Sequence, residues 1–325
     1  MKDNFEQPLG ETGVVTFNYP EIGRTFMPVL TADGRPFDWN LAGGINIIRF
    51  DGGLSHRPSV FIGNKQNYEE ALARLASLES QGLVQRAHER FGDEARPTLE
   101  CIVLASGTAV FHTGITSYPE FQGLLKTAHT NPLLIKALVE EGRTSFGDPY
   151  ALVPRLFGIG GLIVTSDGYG IVAPREAEPH EYPGMFDSFA GYVRFAPVSG
   201  DTKRTDVEHP KRIDLDWNLQ YALATRGIQE TDIRTVRCVG AYGFAETGEL
   251  DFSYVVVVNQ DAAFFTRGTW CNMVPKGRTT SRGGNIVALT RDEMGKAAGE
   301  GRINNAPILY STLGAIIAHV KSLHS

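Results

Sequence analysis

The sequence predicts an α+β protein in which a mixed β-sheet lies between helices, preceded by a smaller α+β amino-terminal domain. The second half of the 325 residues contains two apolar hairpin-like segments, each followed by a strand-like and then a helix-like segment. This order suits a mixed sheet that is covered by helices. A turn-rich segment, FGDPYALVPR, separates the two halves. We therefore expect one domain at residues 1–150 and a second at residues 151–325.

The first half alternates extended segments with helix-like segments. Residues 1–60 contain apolar stretches broken by glycine and proline, namely GVVTFNY, GGINIIRF and SVFIG. Asn67 is placed to cap a helix through YEEALARLASLESQGLVQRAHERFG. A strand is expected at LECIVLASG and a helix near PLLIKALVEEG, which we expect Gly142 to end.

The second half begins with a hairpin at LFGIGGLIVTSDGYGIVAP, because its Asp167-Gly168 pair is a strong turn signal. The segments TVRCVGAYGF and LDFSYVVVVNQ predict another hairpin around AETGE. The run YVVVV is apolar at every position, so we expect this strand to be covered on both faces. A short strand at NIVALT and a helix at PILYSTLGAIIAHVKSL complete the chain.

The composition is that of a soluble globular protein, with 42% hydrophobic and 21% charged residues. A net charge of -6 argues against a nucleic-acid or anionic-membrane surface as partner. The amino terminus has no apolar core of a secretory signal, and no apolar window has the length of a membrane span. The three cysteines, Cys101, Cys238 and Cys271, have no metal-ligand spacing and are expected to be reduced in a cytoplasmic protein.

Residues 184–228 carry the pattern that bears most on function. A strand leads into Phe189-Ala190-Gly191, then come a charged insertion, the amphipathic helix WNLQYALATRG and a closing Gly227-Ile228. This order resembles a Nudix box, G-x5-E-x7-R-E-U-x-E-E-x-G-U, whose glutamates hold Mg²⁺ against a diphosphate. Counted back from the closing pair, the charged positions of the box fall on Gln220, Tyr221, Ala224 and Thr225. These side chains supply almost none of the hard oxygen ligands that Mg²⁺ prefers.

Further motifs resemble one branch of the Nudix superfamily, the UDP-glucose/UDP-galactose diphosphatases. They are HTGITSYPEFQGLLKT at 112–127, the apolar strand at 156–160, the turn Thr165-Ser166-Asp167-Gly168, PGMFDSFAGY at 183–192, and Leu250-Asp251-Phe252. The resemblance runs from about residue 100 to the end of the chain. It implies a Nudix-like mixed sheet between helices and a nucleotide or nucleotide-sugar ligand.

Three residues are candidates for catalysis. Tyr221 stands where the family has a catalytic glutamate, and its phenol could act as a general acid or stack on a base. Asp251 is the one acidic position that the resemblance retains, although an acidic residue at a hairpin end commonly just faces water. Asp216 closes the charged segment 201–216 and could equally be the N-cap of the following helix.

Five residues are candidates for substrate binding. Arg175 stands where the family has an arginine beside the diphosphate, and Tyr192 ends the PGMFDSFAGY motif. Arg267, Trp270 and Arg278 lie in the glycine-rich loop RGTWCNMVPKGRTTSRGG, whose cations and aromatic ring suit a lid over an anionic nucleotide. Arg175 could equally be an exposed structural arginine, and the loop could equally be an ordinary surface loop without a role in binding.

Three functions stay open on the sequence alone. The first is a Nudix-fold enzyme that acts on a nucleotide diphosphate derivative through chemistry that does not use the lost glutamates. The second is a silent nucleotide-binding protein, and the third is a usual Mg²⁺-dependent nucleotide-sugar diphosphatase with relocated acids. No metal site is predicted, and Mg²⁺ could bind only if acidic residues outside the box were recruited. Whether the chain forms a homodimer is also open.

Overall fold

The computed structural model describes most of the second half of the chain and shorter parts of the first. The described residues are 16–20, 23–29, 45–49, 77, 95–105, 108–117, 132–146, 149–150, 152–153, 155–175, 182–196, 212–267 and 286–323. Most of the helix predicted after Asn67 lies outside these residues, although Ser77 within it is helical.

The described residues of the first half include five strands. These are β1 (Phe17–Tyr19), β2 (Arg24–Pro28), β3 (Ile45–Arg49), β4 (Ala95–Ala105) and β5 (Thr108–Ser117). β5 lies between β3, to which it is parallel, and β4, to which it is antiparallel. The strand predicted at LECIVLASG is confirmed by β4.

The first described helix, α1, spans Pro132–Phe146, so the prediction that Gly142 ends it is wrong. A glycine inside a helix costs only about 1 kcal/mol relative to alanine. Leu138 of this helix is buried in an apolar cluster with Val153, and Gly142 is itself buried. Tertiary packing therefore carries the helix through the glycine.

The described strands of the second half are β6 (Phe157–Val164), β7 (Gly170–Pro174), β8 (Phe186–Asp187), β9 (Phe189–Tyr192), β10 (Phe195–Ala196), β11 (Arg212–Ile213), β12 (Ile233–Phe244), β13 (Leu250–Val258), β14 (Val287–Leu289), β15 (Arg302–Ile303) and β16 (Ala306–Pro307). A nine-stranded sheet has the order β1-β2-β12-β13-β6-β7-β14, with β8 on β7 and β9 on β6. β13 and β6 run parallel and their other neighbours run antiparallel, so the sheet is mixed.

Both hairpins predicted in the second half are present. β6 and β7 pair antiparallel across the Asp167-Gly168 turn, where Gly168 has a φ of +87° that favours glycine. The side chain of Asp167 accepts a hydrogen bond from the hydroxyl of Thr165 at 2.6 Å. β12 and β13 form the other hairpin, and all but one residue of β13 are buried, as its apolar run predicts.

Helices cover both faces of this sheet, which confirms the predicted architecture. Leu313 lies in one apolar cluster with Val255 of β13, and Leu219 lies in another with Phe252 of the same strand. The helices of the second half are α2 (Leu215–Ala224), α3 (Ala262–Thr266), α4 (Arg291–Glu300) and α5 (Tyr310–Ser322), with a 3₁₀ turn at Glu230–Asp232. No helix in the described part of the chain is long and apolar enough to cross a membrane.

Residues from before the predicted domain boundary also belong to this sheet. β2 pairs antiparallel with β12, so that Phe26 lies opposite Phe244. The hydroxyl of Tyr19 donates to the carbonyl of Gly301 at 2.9 Å. The boundary near residue 150 stays a prediction, while the amino-terminal hairpin β1–β2 is hydrogen-bonded to the carboxy-terminal sheet.

Candidate functional site

Asp251 lies in the interior, near the start of β13, with 4% of its surface exposed. Successive side chains of a strand point to opposite faces of the sheet. Phe252 packs on the α2 face, so Asp251 and Ser253 point to the α5 face. There the hydroxyl of Tyr310 donates to Oδ1 of Asp251 at 3.4 Å, and Ser253 donates to the carbonyl of Ser311 at 2.5 Å. The alternative that Asp251 merely faces water is therefore wrong.

The surroundings of Asp251 favour its protonated form. Burial raises the pKa of its carboxyl from the ordinary value of 3.8 to about 7, and the negative charge of Glu249 adds to this rise. The hydroxyls of Ser311 and Tyr310 and the positive charge of Arg175 lower the pKa and so oppose it. The carboxyl can accordingly gain or lose a proton near neutral pH.

Glu249 is a further buried carboxylate, and it was not predicted from the sequence. It is 2% exposed, and its Oε2 accepts a 2.7 Å hydrogen bond from the hydroxyl of Thr247 and another from the hydroxyl of Tyr182. Burial raises the pKa of Tyr182 well above its ordinary value, and the charge of Glu249 raises it further. The spacing of Glu249 and Asp251 held a usable signal, because residues two apart share one face of an extended chain.

Arg175 lies just after β7 and forms an ion pair with a third buried carboxylate, that of Asp187. Its Nη1 is 3.4 Å from Oδ2 of Asp187, and Nη2 of Arg226 is 3.9 Å from the same oxygen. The side chain of Asp187 is only 3% exposed, so this ion pair is shielded from water. Asp187 stood in the PGMFDSFAGY motif without an assigned role, and nothing in the local sequence of Arg226 indicated the contact.

Tyr192 belongs to the same row of residues as Asp251. In the sheet, Tyr192 of β9 lies opposite Gly158 of β6, and Gly158 lies opposite Asp251 of β13. Tyr242 of β12 lies opposite Asp251 on its other side. Residues directly opposite one another on neighbouring strands point to the same face. The structure therefore places Tyr192, Tyr242 and Asp251 on the α5 face.

Tyr221 lies on α2, on the other face of the sheet. Its ring stacks on Trp217 with centroids 5.5 Å apart and an angle of 26°, and the guanidinium carbon of Arg194 is 4.6 Å from its centroid. Asn218 fixes the backbone of Arg194 by accepting from its N–H at 2.7 Å and donating to its carbonyl at 2.9 Å. Tyr221 is thus packed among neighbours, and the structure does not bring it to Asp251.

The N-cap of α2 is Asp214, so the expectation that Asp216 could cap this helix is wrong. The side chain of Asp214 accepts from the N–H of Trp217 at 3.0 Å. Asp216 lies within the first turn and is exposed. Asp214 takes the cap because its extended backbone, with φ −123° and ψ 109°, aims the carboxylate at the first free N–H groups.

The glycine-rich loop is described only at its start. Arg267 is exposed and forms the C-cap of α3, while Trp270 and Arg278 lie outside the described residues. The acids Asp206 and Glu208 of the charged insertion also lie outside them. Within the part of the chain that is described, no three His, Cys, Asp or Glu residues form a group that could hold a metal ion.

Among the comparisons with known proteins, only the one with solved structures finds similarity to this chain. No protein-family model and no curated protein matches the chain. The crystal structure of DR0079 from Deinococcus radiodurans matches at a TM-score of 0.31 and 11% identity, over 51% of this chain and 82% of that one. The crystal structure of RenU, a Nudix hydrolase from M. smegmatis, matches at a TM-score of 0.27 and 11% identity, over 52% and 84%. At these scores neither similarity carries an argument about function.

Proposed function

We propose that the chain is a Nudix-related enzyme that acts on a nucleotide diphosphate derivative of the nucleotide-sugar kind, with Asp251 as its proton-transferring group. The observation that carries this proposal is the buried carboxyl of Asp251, whose pKa is raised to about 7. General acid and base catalysis is most effective when the pKa of the group lies near the working pH. Few exposed carboxyls meet that condition.

Arg175 and Tyr192 support an anionic substrate at this site. A guanidinium group matches the geometry of phosphate oxygens, and the contact with Asp187 orients the guanidinium of Arg175. Tyr192 lies on the same face of the sheet as Asp251, two strands away. In the proposed reaction a water molecule attacks one phosphorus atom, the carboxylate of Asp251 takes its proton, and the P–O bond to the leaving phosphate breaks.

The side chains at the box positions of α2 do not fit Mg²⁺. Gln220 and Ala224 are exposed and neutral, and Tyr221 is stacked on Trp217. A divalent cation of this kind requires several hard oxygen ligands, mostly carboxylates and phosphates. No step of the proposed reaction is therefore assigned to a metal on this helix.

A second function, binding without turnover, is favoured by the burial of the carboxyls. Asp251 and Glu249 are 4% and 2% exposed, and hydroxyl groups surround both. A buried polar network of this kind can serve structure alone. Both functions share the same class of ligand, so they differ in chemistry and not in binding.

The test is incubation of the full chain with nucleotide sugars and dinucleotides, with and without Mg²⁺, followed by chromatography of the products. We expect a nucleoside monophosphate to be released, and Asp251→Asn to slow this by about 10²- to 10⁴-fold. Asp292→Asn removes an exposed carboxylate of α4 and serves as the matched control with unchanged turnover.

Each other outcome selects a different function. A thermal shift with these ligands but no product would select the silent binder, because a ligand that binds the native state raises its stability. Turnover that requires Mg²⁺ and survives Asp251→Asn would select the usual diphosphatase with relocated acids. Neither a shift nor a product would remove every nucleotide function considered.

A further inference from the structure

Glu249 and Asp251 form a pair of buried carboxyls on one side of the chain as it enters β13. They are separated by Leu250 and both lie almost wholly out of water, at 2% and 4% exposure. Charges in such surroundings interact more strongly than they do at a surface, because little water screens them. The state of one carboxyl therefore affects the other.

A cluster of aromatic rings holds this pair in place. Tyr182, whose hydroxyl donates to Glu249, packs against Phe244 with ring centroids 5.1 Å apart. Phe244 in turn packs against Tyr310 at 4.8 Å, and the hydroxyl of Tyr310 donates to Asp251. One cluster thus positions a hydrogen-bond donor for each carboxyl.

The charged and titratable groups around Asp251 come from several of the elements that pack against it. Glu249, just before β13, carries a charge that raises the pKa of Asp251, and Arg175, just after β7, carries one that lowers it. α5 contributes Tyr310, and β12 contributes Tyr242 as the register partner of Asp251. β6 contributes Gly158, which has no side chain.

The amino-terminal hairpin adds a further charge beside Tyr182, the hydrogen-bond donor to Glu249. Arg24 of β2 is 3% exposed, and its positive charge lowers the pKa of Tyr182, the phenol that donates to Glu249. The segment that carries Arg24 is held by the backbone, since Thr25 donates its N–H to the side chain of Glu246 at 2.8 Å. The amino-terminal hairpin therefore contributes to the surroundings of Tyr182, which holds Glu249.

We infer that Glu249 is a positioning residue for Asp251: its carboxylate, held by Tyr182 and Thr247, adds to the effect of burial in favouring the protonated form of Asp251 at the proposed site. This inference rests on the proposed function, in which Asp251 contacts the substrate and Glu249 acts through it. Glu249 itself transfers no proton to the substrate. Burial is the main cause that keeps Asp251 protonated up to near neutral pH, and the role of Glu249 is to add to it.

The test is an NMR titration of the carboxyl carbons in the full chain, without any substrate. In wild type we expect Asp251 to titrate at about 7, and in Glu249→Gln its pKa should fall below this value, while burial still holds it above the ordinary value of 3.8. Glu249→Asp keeps the negative charge and should lower the pKa of Asp251 less than Glu249→Gln does. Glu230→Gln, an exposed glutamate of the 3₁₀ turn, is the matched control and should leave Asp251 unchanged. An unchanged pKa of Asp251 in Glu249→Gln would overturn the inference.

The wild-type protein provides a second measurement if Glu249→Gln fails to fold. Two carboxyls that interact strongly titrate as a pair, so each resonance reports both steps. The carboxyl carbon of Glu249 should therefore shift again at the pH where Asp251 loses its proton. A single independent curve for Glu249 would contradict its role.

These results are independent of turnover. Coupling between the carboxyls without any product would leave the control of the Asp251 proton in place and remove the enzymatic proposal. Turnover that depends on Asp251 without coupling would remove the role of Glu249 alone. Where both are present, the pH profile of the Glu249→Gln enzyme should move to lower pH.

Discussion

The carboxyl of Asp251 occupies the space that a side chain on Gly158 would fill. The two residues lie opposite each other in the parallel pair β6 and β13, and a Cβ atom on Gly158 would be 2.1 Å from Oδ1 of Asp251. The absence of a side chain on Gly158 is therefore what admits a buried carboxyl at this point of the sheet. The proposed site depends on this close approach.

Gly158→Ala is expected to destabilise the fold and to displace Asp251. Overpacking of a tight interior typically costs about 1–3 kcal/mol of unfolding free energy. Chemical denaturation measures this loss. Gly295→Ala in α4 is the control, because a Cβ there would meet nothing within 4 Å and alanine favours the helix by about 1 kcal/mol. Equal effects of the two substitutions would contradict the close contact at Gly158.

Stability should depend on pH through Asp251. The unfolded chain releases this proton near its ordinary pKa of 3.8, while the native protein holds it up to about 7. Between these values the native state binds more protons, so the contribution of Asp251 is greatest below the lower pKa and is lost as the pH rises to the higher one. Asp251→Asn cannot ionise and should exceed wild type in stability at about pH 8 by on the order of a few kcal/mol.

The measurement is the unfolding free energy of wild type and Asp251→Asn at about pH 5 and about pH 8. The advantage of the variant should grow between these two values. Asp292→Asn, at an exposed site, should track wild type at both. A constant difference in unfolding free energy between wild type and Asp251→Asn would show that the carboxyl titrates outside this pH range.

Asp187→Asn should be strongly destabilising. The change leaves Arg175 and Arg226 facing each other without the carboxylate that lies between them. Removal of one partner from a buried ion pair typically costs about 3–5 kcal/mol. Glu140→Gln breaks the exposed pair with Arg143 and should cost about 1 kcal/mol or less. Thermal unfolding of the two variants distinguishes them, and similar losses would argue against the buried pair.

Asp214→Ala and Asp216→Ala should differ although the residues are close in sequence. Loss of the side-chain cap at Asp214 should cost about 0.5–2 kcal/mol, because the N–H of Trp217 loses its partner. Asp216 is exposed in the first turn, so its loss removes only a favourable charge near the helix start, about 0.3–1 kcal/mol. Denaturant unfolding measures the loss of stability in each variant. A larger loss for Asp216→Ala than for Asp214→Ala would contradict the assignment of the N-cap to Asp214.

Patterns in the sequence predicted the elements well where local chemistry decides them. The Asp167-Gly168 turn and the apolar run of β13 appear as expected. A tight turn requires particular residues, and a strand buried on both faces requires an unbroken apolar run, so both can be recognised in the local sequence. Helix ends were harder to predict. α1 continues through Gly142 because tertiary packing offsets the cost of a glycine in a helix. The N-cap of α2 is Asp214 and not Asp216.

The site was predictable only in part. Asp251 and Arg175 were identified from the resemblance, and both lie in one buried polar region. Glu249 and Asp187 were not, because their partners are distant in sequence: Tyr182 is 67 residues from Glu249, and Arg175 is 12 residues from Asp187. Tyr221 came from the same resemblance and Asp216 from the charged segment 201–216, but both lie on α2, on the other face of the sheet.

The sequence by itself determined the class of fold, since periodicity and turn residues specify strands, hairpins and helices locally. Only the tertiary structure decided which polar residues meet. A carboxyl such as Asp251 has the same covalent structure at a surface or in a core, and its pKa is set by burial and by neighbours such as Arg175 and Tyr310. Those neighbours are brought together by the pairing of strands and the packing of α5, which no local pattern encodes.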